Sequence, residues 1–266
     1  MPPPRGFVSA GGRRLEYAWT GPAPEAAPTL VFLHEGLGCR AMWRDVPDEL
    51  ARRTGCGALT YSRAGYGGSD ACDLPRTVRY MHDEGLTILP QVLAALGVRD
   101  SVLIGHSDGA SIAIVHAGGT PAPGLRGLVL EAPHVFTEEI GLASIAAAKR
   151  AYATAGLRAR LQRHHGANVD VAFNGWADAW TDPAFRDWNL EEYLPGIATP
   201  VLLIQGEADE YGSVAQLEAI DRQTGGPCET LLLADCGHAP HKDRRDDVLD
   251  AIARFVGGLS PAAATV

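Results

Sequence analysis

Short apolar runs bounded by turn residues recur along the chain, at Phe7 to Ala10, Arg14 to Trp19, Thr29 to His34, Gly57 to Tyr61, Ser101 to Gly105, Gly127 to Ala132, Pro200 to Gln205 and Glu229 to Ala234. From Thr29 onward most are continuous rather than alternating, the pattern of strands buried on both faces of a parallel sheet. Between them lie stretches with helical character: Ala41 to Thr54, Arg76 to Leu96, Asp108 to Ala117, Ser213 to Gln223 and His241 to Val256. Strand and helix alternating in this rhythm predict a doubly wound α/β fold with a mostly parallel, eight-stranded sheet flanked by helices.

One segment breaks the rhythm. Residues 134–195 carry no strand pattern, yet these 62 residues hold 8 of the 18 aromatics. Phe173, Trp176 and Trp180 stand at i, i+3 and i+7, on one helical face. A helical insert with an aromatic face, entering after a strand of a parallel sheet, predicts a lid over the carboxyl edge where such sheets bind ligands. The expected division is a core of residues 1–133 and 196–266 with a lid of residues 134–195. Rings of the insert that only glue it to the core remain the alternative.

Composition narrows the function classes. The chain has 266 residues, 46% of them hydrophobic, and a formal net charge of −9. That apolar content excludes a disordered chain. An acidic balance without a basic stripe argues against nucleic acid, and no apolar run approaches the ~20 residues of a membrane span. Met1 to Gly6 lacks the apolar stretch of a secretory signal. The five cysteines, Cys39, Cys56, Cys72, Cys228 and Cys236, form no CxxC pair and read as free thiols of a cytoplasmic protein. The expected partner is a small-molecule substrate; the oligomeric state stays open, with a homodimer as one option.

The chemistry concentrates at Gly105-His106-Ser107-Asp108-Gly109. A G-x-S-x-G between a buried strand and a helix places serine on a sharp turn, its hydroxyl exposed at the helix N-terminus beside free backbone N–H groups. A serine hydroxyl needs a base, and the base needs an orienting carboxylate. His238 follows the last apolar run in Asp235-Cys236-Gly237-His238, and Asp209 follows the preceding one in Gln205-Gly206-Glu207-Ala208-Asp209-Glu210. Glu207 and Glu210 flank the acid, and Glu131 ends another strand, so each is an alternative to Asp209. His238 and His241 are spaced like two metal ligands, but Pro240 intervenes and no third ligand is apparent; neither metal nor cofactor is expected.

With these residues in place the chain resembles the α/β-hydrolases with a helical lid, from about Arg14 to Phe255. The family's loop after its third strand is matched by His34-Glu35-Gly36-Leu37-Gly38, and its Arg-x-Gly-x-Gly-x-Ser loop by Arg63-Ala64-Gly65-Tyr66-Gly67-Gly68-Ser69. The resemblance implies that Ser107 attacks a carbonyl, His238 takes its proton, Asp209 fixes the imidazole, and the N–H groups of Gly36 and Asp108 hold the oxyanion. Glu35 stands where the family usually has glycine, so that the donor could shift to Leu37 or the Glu35 side chain enter the pocket. Ser107-Asp108-Gly109 is also similar to the valacyclovir-hydrolase-like enzymes, which use the aspartate for a substrate ammonium; a structural Asp108, paired with Arg63 or loop N–H groups, is the other reading. Expected substrate contacts are Glu35, Leu37, Asp108, Phe136, Trp176, Trp180 and Trp188. His34 and His106 read as structural supports, and His164-His165 as solvated, with one able to face the pocket.

The same three side chains serve several reactions, and fold does not choose among them. The leading expectation is hydrolysis of a small or medium carboxylic ester, with thioester, lactone and aminoacyl ester in the same class. A C–C hydrolase or lyase of aromatic-ring-fission products is the runner-up, and a non-catalytic small-molecule receptor a third. Acids gathered near the site (Glu35, Asp108, Glu207, Asp209, Glu210) predict a mouth that favours neutral or cationic substrates over polyanions.

Overall fold

The continuous apolar runs pair into one eight-stranded sheet: β1 (Arg5–Ala10), β2 (Arg13–Thr20), β3 (Thr29–Leu33), β4 (Gly57–Tyr61), β5 (Ser101–His106), β6 (Leu125–Glu131), β7 (Val201–Gly206) and β8 (Cys228–Leu233). The computed structural model describes residues 4–120 and 122–259; the start of the Met1 to Gly6 segment and the Ala-rich C-terminal end lie outside them. The strand order is β1-β2-β4-β3-β5-β6-β7-β8. The β1–β2 hairpin is antiparallel, and β2 joins β4 antiparallel; every other pairing is parallel. The doubly wound α/β sheet expected from the pattern, and the α/β-hydrolase fold that the resemblance implies, are the fold observed.

Period-two alternation within the buried strands feeds two cores, one on each face of the sheet. Leu30, Phe32, Val102, Ile104, Leu202 and Ile204 point to one face, against α1 (Val46–Thr54) and a last helix. Val31, Leu33, Leu103, Leu128, Leu130 and Leu203 point to the other. There they meet α2 (Tyr80–Asp83), α3 (Leu89–Ala95) and α4 (Asp108–Gly119). Helix α4 is buried from Asp108 to His116, which explains a sequence apolar on all sides.

Three predicted helices are interrupted. The first divides into a 3₁₀ turn at Arg40–Trp43 and α1, with Pro47 in the first turn of α1. The second starts only at Tyr80 and passes through a π turn at Glu84–Ile88 between α2 and α3. Gly85 there faces α4 so closely that a Cβ would lie 2.8 Å from the Ile112 carbonyl oxygen.

Between β6 and β7 the chain is helical as expected: α5 (Glu139–Thr154), α6 (Leu157–His165) and α7 (Val169–Thr181), then two 3₁₀ turns. Its one β contact among the described residues is an isolated bridge between Phe136 and Asn189. Phe173, Trp176 and Trp180 all lie on the buried face of α7. After β7 come α8 (Ala215–Gln223), α9 (Pro240–Asp243) and α10 (Arg245–Gly258); the break at Arg244 divides the helix expected over His241 to Val256. No described helix is long and apolar enough to cross a membrane.

Candidate active site

The parallel strands all deliver their next residues to one edge of the sheet: His34 and Glu35 after β3, Ser107 after β5, His134 after β6, Asp209 after β7 and His238 after β8. Ser107 occupies the turn between β5 and α4 at φ 54°, a left-handed conformation that costs a non-glycine residue about 1–3 kcal/mol. The turn is tight enough to exclude side chains on both sides. A Cβ on Gly105 would lie 2.4 Å from the Gly109 carbonyl oxygen, and one on Gly109 would lie 1.9 Å from that of Leu33. Both outer positions of G-x-S-x-G are therefore glycine for lack of room.

Ser107 Oγ lies 2.9 Å from His238 Nε2. On the far side of that ring, Nδ1 lies 2.8 Å from Asp209 Oδ1 and 3.0 Å from Oδ2. A carboxylate only accepts, so Nδ1 carries the proton and Nε2 presents its lone pair to the serine hydroxyl. Asp209 Oδ1 also accepts from the backbone N–H of Tyr211 at 2.8 Å. Burial works against the Asp209 charge, but the hydrogen bond and charge of His238 and the Tyr211 N–H outweigh it and hold the acid below its ordinary value. Of the alternative acids, Glu131 is fully buried and accepts from His241 Nδ1 at 2.8 Å, Glu207 is exposed, and the Glu210 carboxylate meets the His238 backbone N–H at 3.3 Å rather than its ring. Asp209 is the carboxylate on the His238 ring.

Among the described residues, the backbone N–H groups of Gly36 and Asp108 have no protein acceptor. Both residues line a cavity of about 100 Å³ together with Glu35, Leu37, Ser107, Trp176, Trp180 and His238. Its other walls are His134, Glu138, Gly141, Ile145 and Tyr211, which the sequence reading missed. His134 and Tyr211 follow β6 and β7 at the same edge as the expected residues, a positional signal that could have found them. Gly141 and Ile145 are one turn apart on α5, and nothing in the sequence showed which way that helix faces.

Two expected contacts are not in the wall. Trp188 is buried behind Trp180, stacked on Phe185 with ring centroids 5.2 Å apart. Phe136 is held through its backbone, bridged to Asn189 and accepting from Gln216 Nε2 at 3.0 Å. Both serve the packing of the insert, because a cluster of large rings needs a second row to fill the space behind the first.

Asp108 is wholly buried, and its carboxylate is already engaged. Oδ2 accepts from Tyr80 Oη at 2.7 Å, Oδ1 from Trp180 Nε1 at 3.3 Å, and Arg63 Nη1 lies 3.6 Å from Oδ2. Glu35 lines the cavity, but its Oε2 lies 3.6 Å from His106 Nδ1 and its Oε1 3.6 Å from Lys242 Nζ. Burial opposes the Glu35 charge, and these two neighbours nonetheless hold the acid well below its usual range. His106 in turn donates from Nε2 to the His238 carbonyl oxygen at 2.6 Å, a supporting position as expected. His165 corrects the solvated reading: it is 1% exposed and bonded at both nitrogens, whereas His164 is exposed. Its burial follows from its place at the end of α6, packed against Tyr66 with rings 5.8 Å apart.

Fold and site together define an α/β protein with a strained serine turn at the carboxyl edge of its sheet. The chain belongs to the alpha/beta hydrolase family, whose model matches residues 30–251. Among curated proteins it is similar to a "2-succinyl-6-hydroxy-2,4-cyclohexadiene-1-carboxylate synthase" of Salmonella paratyphi C, 25% identical, with 88% of this chain and 96% of the relative covered. Among solved structures, VinJ matches with a TM-score of 0.74 at 25% identity, over 97% of this chain and 100% of that one. An esterase from Exiguobacterium antarcticum matches with a TM-score of 0.73 at 20% identity, over 94% and 98% of the two chains, a likeness of fold.

Proposed function

We propose that this protein is a serine hydrolase that cleaves a small or medium, uncharged carboxylic ester through an acyl-enzyme. The observation that carries the reading is the continuous hydrogen-bonded chain from Ser107 Oγ through His238 to Asp209. Ser107 Oγ adds to the ester carbonyl carbon while its proton passes to His238 Nε2. Asp209 keeps the ring oriented and stabilises the imidazolium. The oxyanion rests on the N–H groups of Gly36 and Asp108, each such donor being worth about 10²–10³ in rate. His238 then protonates the leaving alcohol, and a water repeats the sequence to release the acid. In this reading residues 134–195 act as a lid over a core of residues 1–133 and 196–266, with Trp176 and Trp180 as its inner face.

Charge supports an uncharged substrate. Among the described residues, the cavity wall includes Glu35, Asp108 and Glu138 and no lysine or arginine. A substrate carboxylate would enter with no cation to meet it, at a cost of several kcal/mol when desolvated. An ammonium would find all three carboxylates already engaged, Glu35 beside His106 and Lys242, Asp108 with Tyr80 and Trp180, and Glu138 with Ser213 and Gln216. The curated relatives favour a second reading, a C–C hydrolase or lyase, because their name is that of a synthase and not of an ester hydrolase. The compound in that name is a carboxylate, and a cavity wall without lysine or arginine among the described residues weighs against such a substrate here.

Turnover of p-nitrophenyl acetate and butyrate, abolished in Ser107→Ala and blocked by a serine-directed phosphonate, is the expected result. A panel adding aminoacyl esters and ring-fission products ranks the two readings. Ser107-dependent turnover of ring-fission products with inert esters would replace the first by the second.

A further inference from the structure

The loop His34-Glu35-Gly36-Leu37-Gly38 holds one of the two oxyanion donors, and its shape is set by what binds its carbonyl groups. The Glu35 carbonyl oxygen accepts from His34 Nδ1 at 2.8 Å, Arg63 Nη2 at 3.0 Å and the Gly38 N–H at 3.1 Å. A trans peptide points its C=O and N–H in opposite directions, so three donors on the Glu35 oxygen fix the direction of the Gly36 N–H. These contacts come from the core, next to the loop.

The next anchor comes from the insert. The Leu37 carbonyl oxygen accepts from His165 Nε2 at 3.0 Å, and His165 Nδ1 accepts from the Gly67 N–H at 3.1 Å. His165 ends α6, more than a hundred residues away in the chain. A carbonyl only accepts and an amide N–H only donates, so both partners dictate one neutral tautomer of His165, protonated at Nε2 alone. Beside it, Asn168 Nδ2 donates to the Gly67 and Ser69 carbonyl oxygens at 3.2 and 2.7 Å, fastening the same corner of the insert to the Gly65–Ser69 loop. Trp176 closes the loop from above: a Cβ on Gly36 would lie 2.2 Å from Trp176 Cδ1.

We infer that His165 is a positioning residue for the oxyanion loop, so that docking of the helical insert completes the anchorage of the Gly36 side of the oxyanion hole. The inference rests on the proposed hydrolase reading. His165 touches no reacting atom; it holds the Leu37–Gly38 peptide, whose N–H is one of the three donors on the Glu35 oxygen that aim the Gly36 N–H. Without His165 the Leu37–Gly38 peptide can turn its N–H off the Glu35 oxygen, and the Gly36 N–H then shifts from the place where charge develops, which weakens transition-state binding and leaves ground-state binding of an uncharged ester almost alone. The physical signature is a fall in kcat without a matching rise in KM.

The test compares His165→Leu, which removes donor and acceptor, with His165→Gln, whose amide supplies one of each. For p-nitrophenyl butyrate, His165→Leu is expected to lower kcat about 10- to 100-fold while KM changes less than about threefold. His165→Gln should recover most of kcat. The inhibition constant of a short alkylboronic acid, which forms a tetrahedral adduct on Ser107, should weaken with kcat across the series. If His165→Leu does not fold, the boronate affinity and kcat of His165→Gln against His165→Asn, whose shorter amide cannot span both partners, decide the question. Wild-type kcat in the Leu variant, or kcat falling only in proportion to folded protein with boronate affinity unchanged, overturns the inference. Wild-type protein with no turnover sensitive to Ser107→Ala overturns the hydrolase reading itself, a distinct outcome.

Discussion

The indole N–H of Trp180 donates to the carboxylate of Asp108 across 3.3 Å, and the same indole donates to Tyr80 Oη at 3.0 Å. An aromatic ring of the insert is thereby hydrogen-bonded to the residue directly after the serine nucleophile candidate. With Arg63 beside it, Asp108 belongs to a buried polar cluster in which both carboxylate oxygens already accept a hydrogen bond.

Asp108→Asn is accordingly expected to act on stability and on all esters alike. Arg63 would lose its buried counter-charge, a change of about 3 kcal/mol by the usual cost of breaking such a pair. Thermal denaturation and kcat/KM for matched aminoacyl and neutral esters check this. A KM increase confined to the aminoacyl series would instead return Asp108 to the role of ammonium receptor.

Ser107→Ala should abolish ester turnover and leave the melting temperature within a degree or two, because the left-handed backbone strain is common to Ser and Ala. Asp209→Asn should reduce kcat by about 10⁴, the amide favouring the wrong tautomer of His238. Circular dichroism with single-turnover kinetics distinguishes loss of chemistry from loss of fold.

Gly36→Ala pushes a methyl into Trp176 and should lower kcat at least tenfold on the scale of a displaced oxyanion donor. In a Trp176→Ala background the same change should cost much less, since the colliding ring is gone. A double-mutant cycle measures that coupling. Additive effects would mean that the ring and the loop do not share the space at Gly36.

Acid should destabilise the protein before its carboxylates titrate. Burial, first among the causes, depresses His34, His116, His134 and His165, with His134 brought to about 4. In the unfolded chain each takes a proton below about pH 6.5; in the fold it does so only at lower pH. Unfolding therefore takes up protons in this window, and stability falls as pH falls through it. His106, held above its ordinary value by Glu35 despite burial, works the other way. Melting temperatures from pH 7 to 4.5 should decline, and His134→Phe should flatten the slope; an unchanged slope would refute the assignment of that proton uptake to His134.

The elements carried unequal amounts of information in the sequence. Strands β3 to β7 were legible because burial on both faces leaves unbroken apolar runs, and the serine turn because a close backbone approach leaves only glycine at Gly105 and Gly109. The breaks at Glu84–Ile88 and Arg244 were not, since they answer to contacts with other elements rather than to local propensity. Trp188 and Phe136 were mistaken for pocket residues for the same reason: aromatic character is identical in the first and second rows of a packed cluster.

By itself, then, the sequence determined which side chains carry reactive groups and, through apolar runs and turn residues, that strand ends would bring Ser107, His238 and an acid to one edge; the resemblance pointed to Asp209 as that acid, and the geometry separates it from Glu131, Glu207 and Glu210. Tertiary structure alone decided how the remaining polar groups are spent. Asp108 goes to Tyr80, Trp180 and Arg63, Glu35 to His106 and Lys242, and His165 to the oxyanion loop. Periodicity is a local property that one chain segment can display. A hydrogen-bond partner far away in the chain is fixed only when packing brings two segments within about 3 Å and leaves each buried polar group one way to be satisfied.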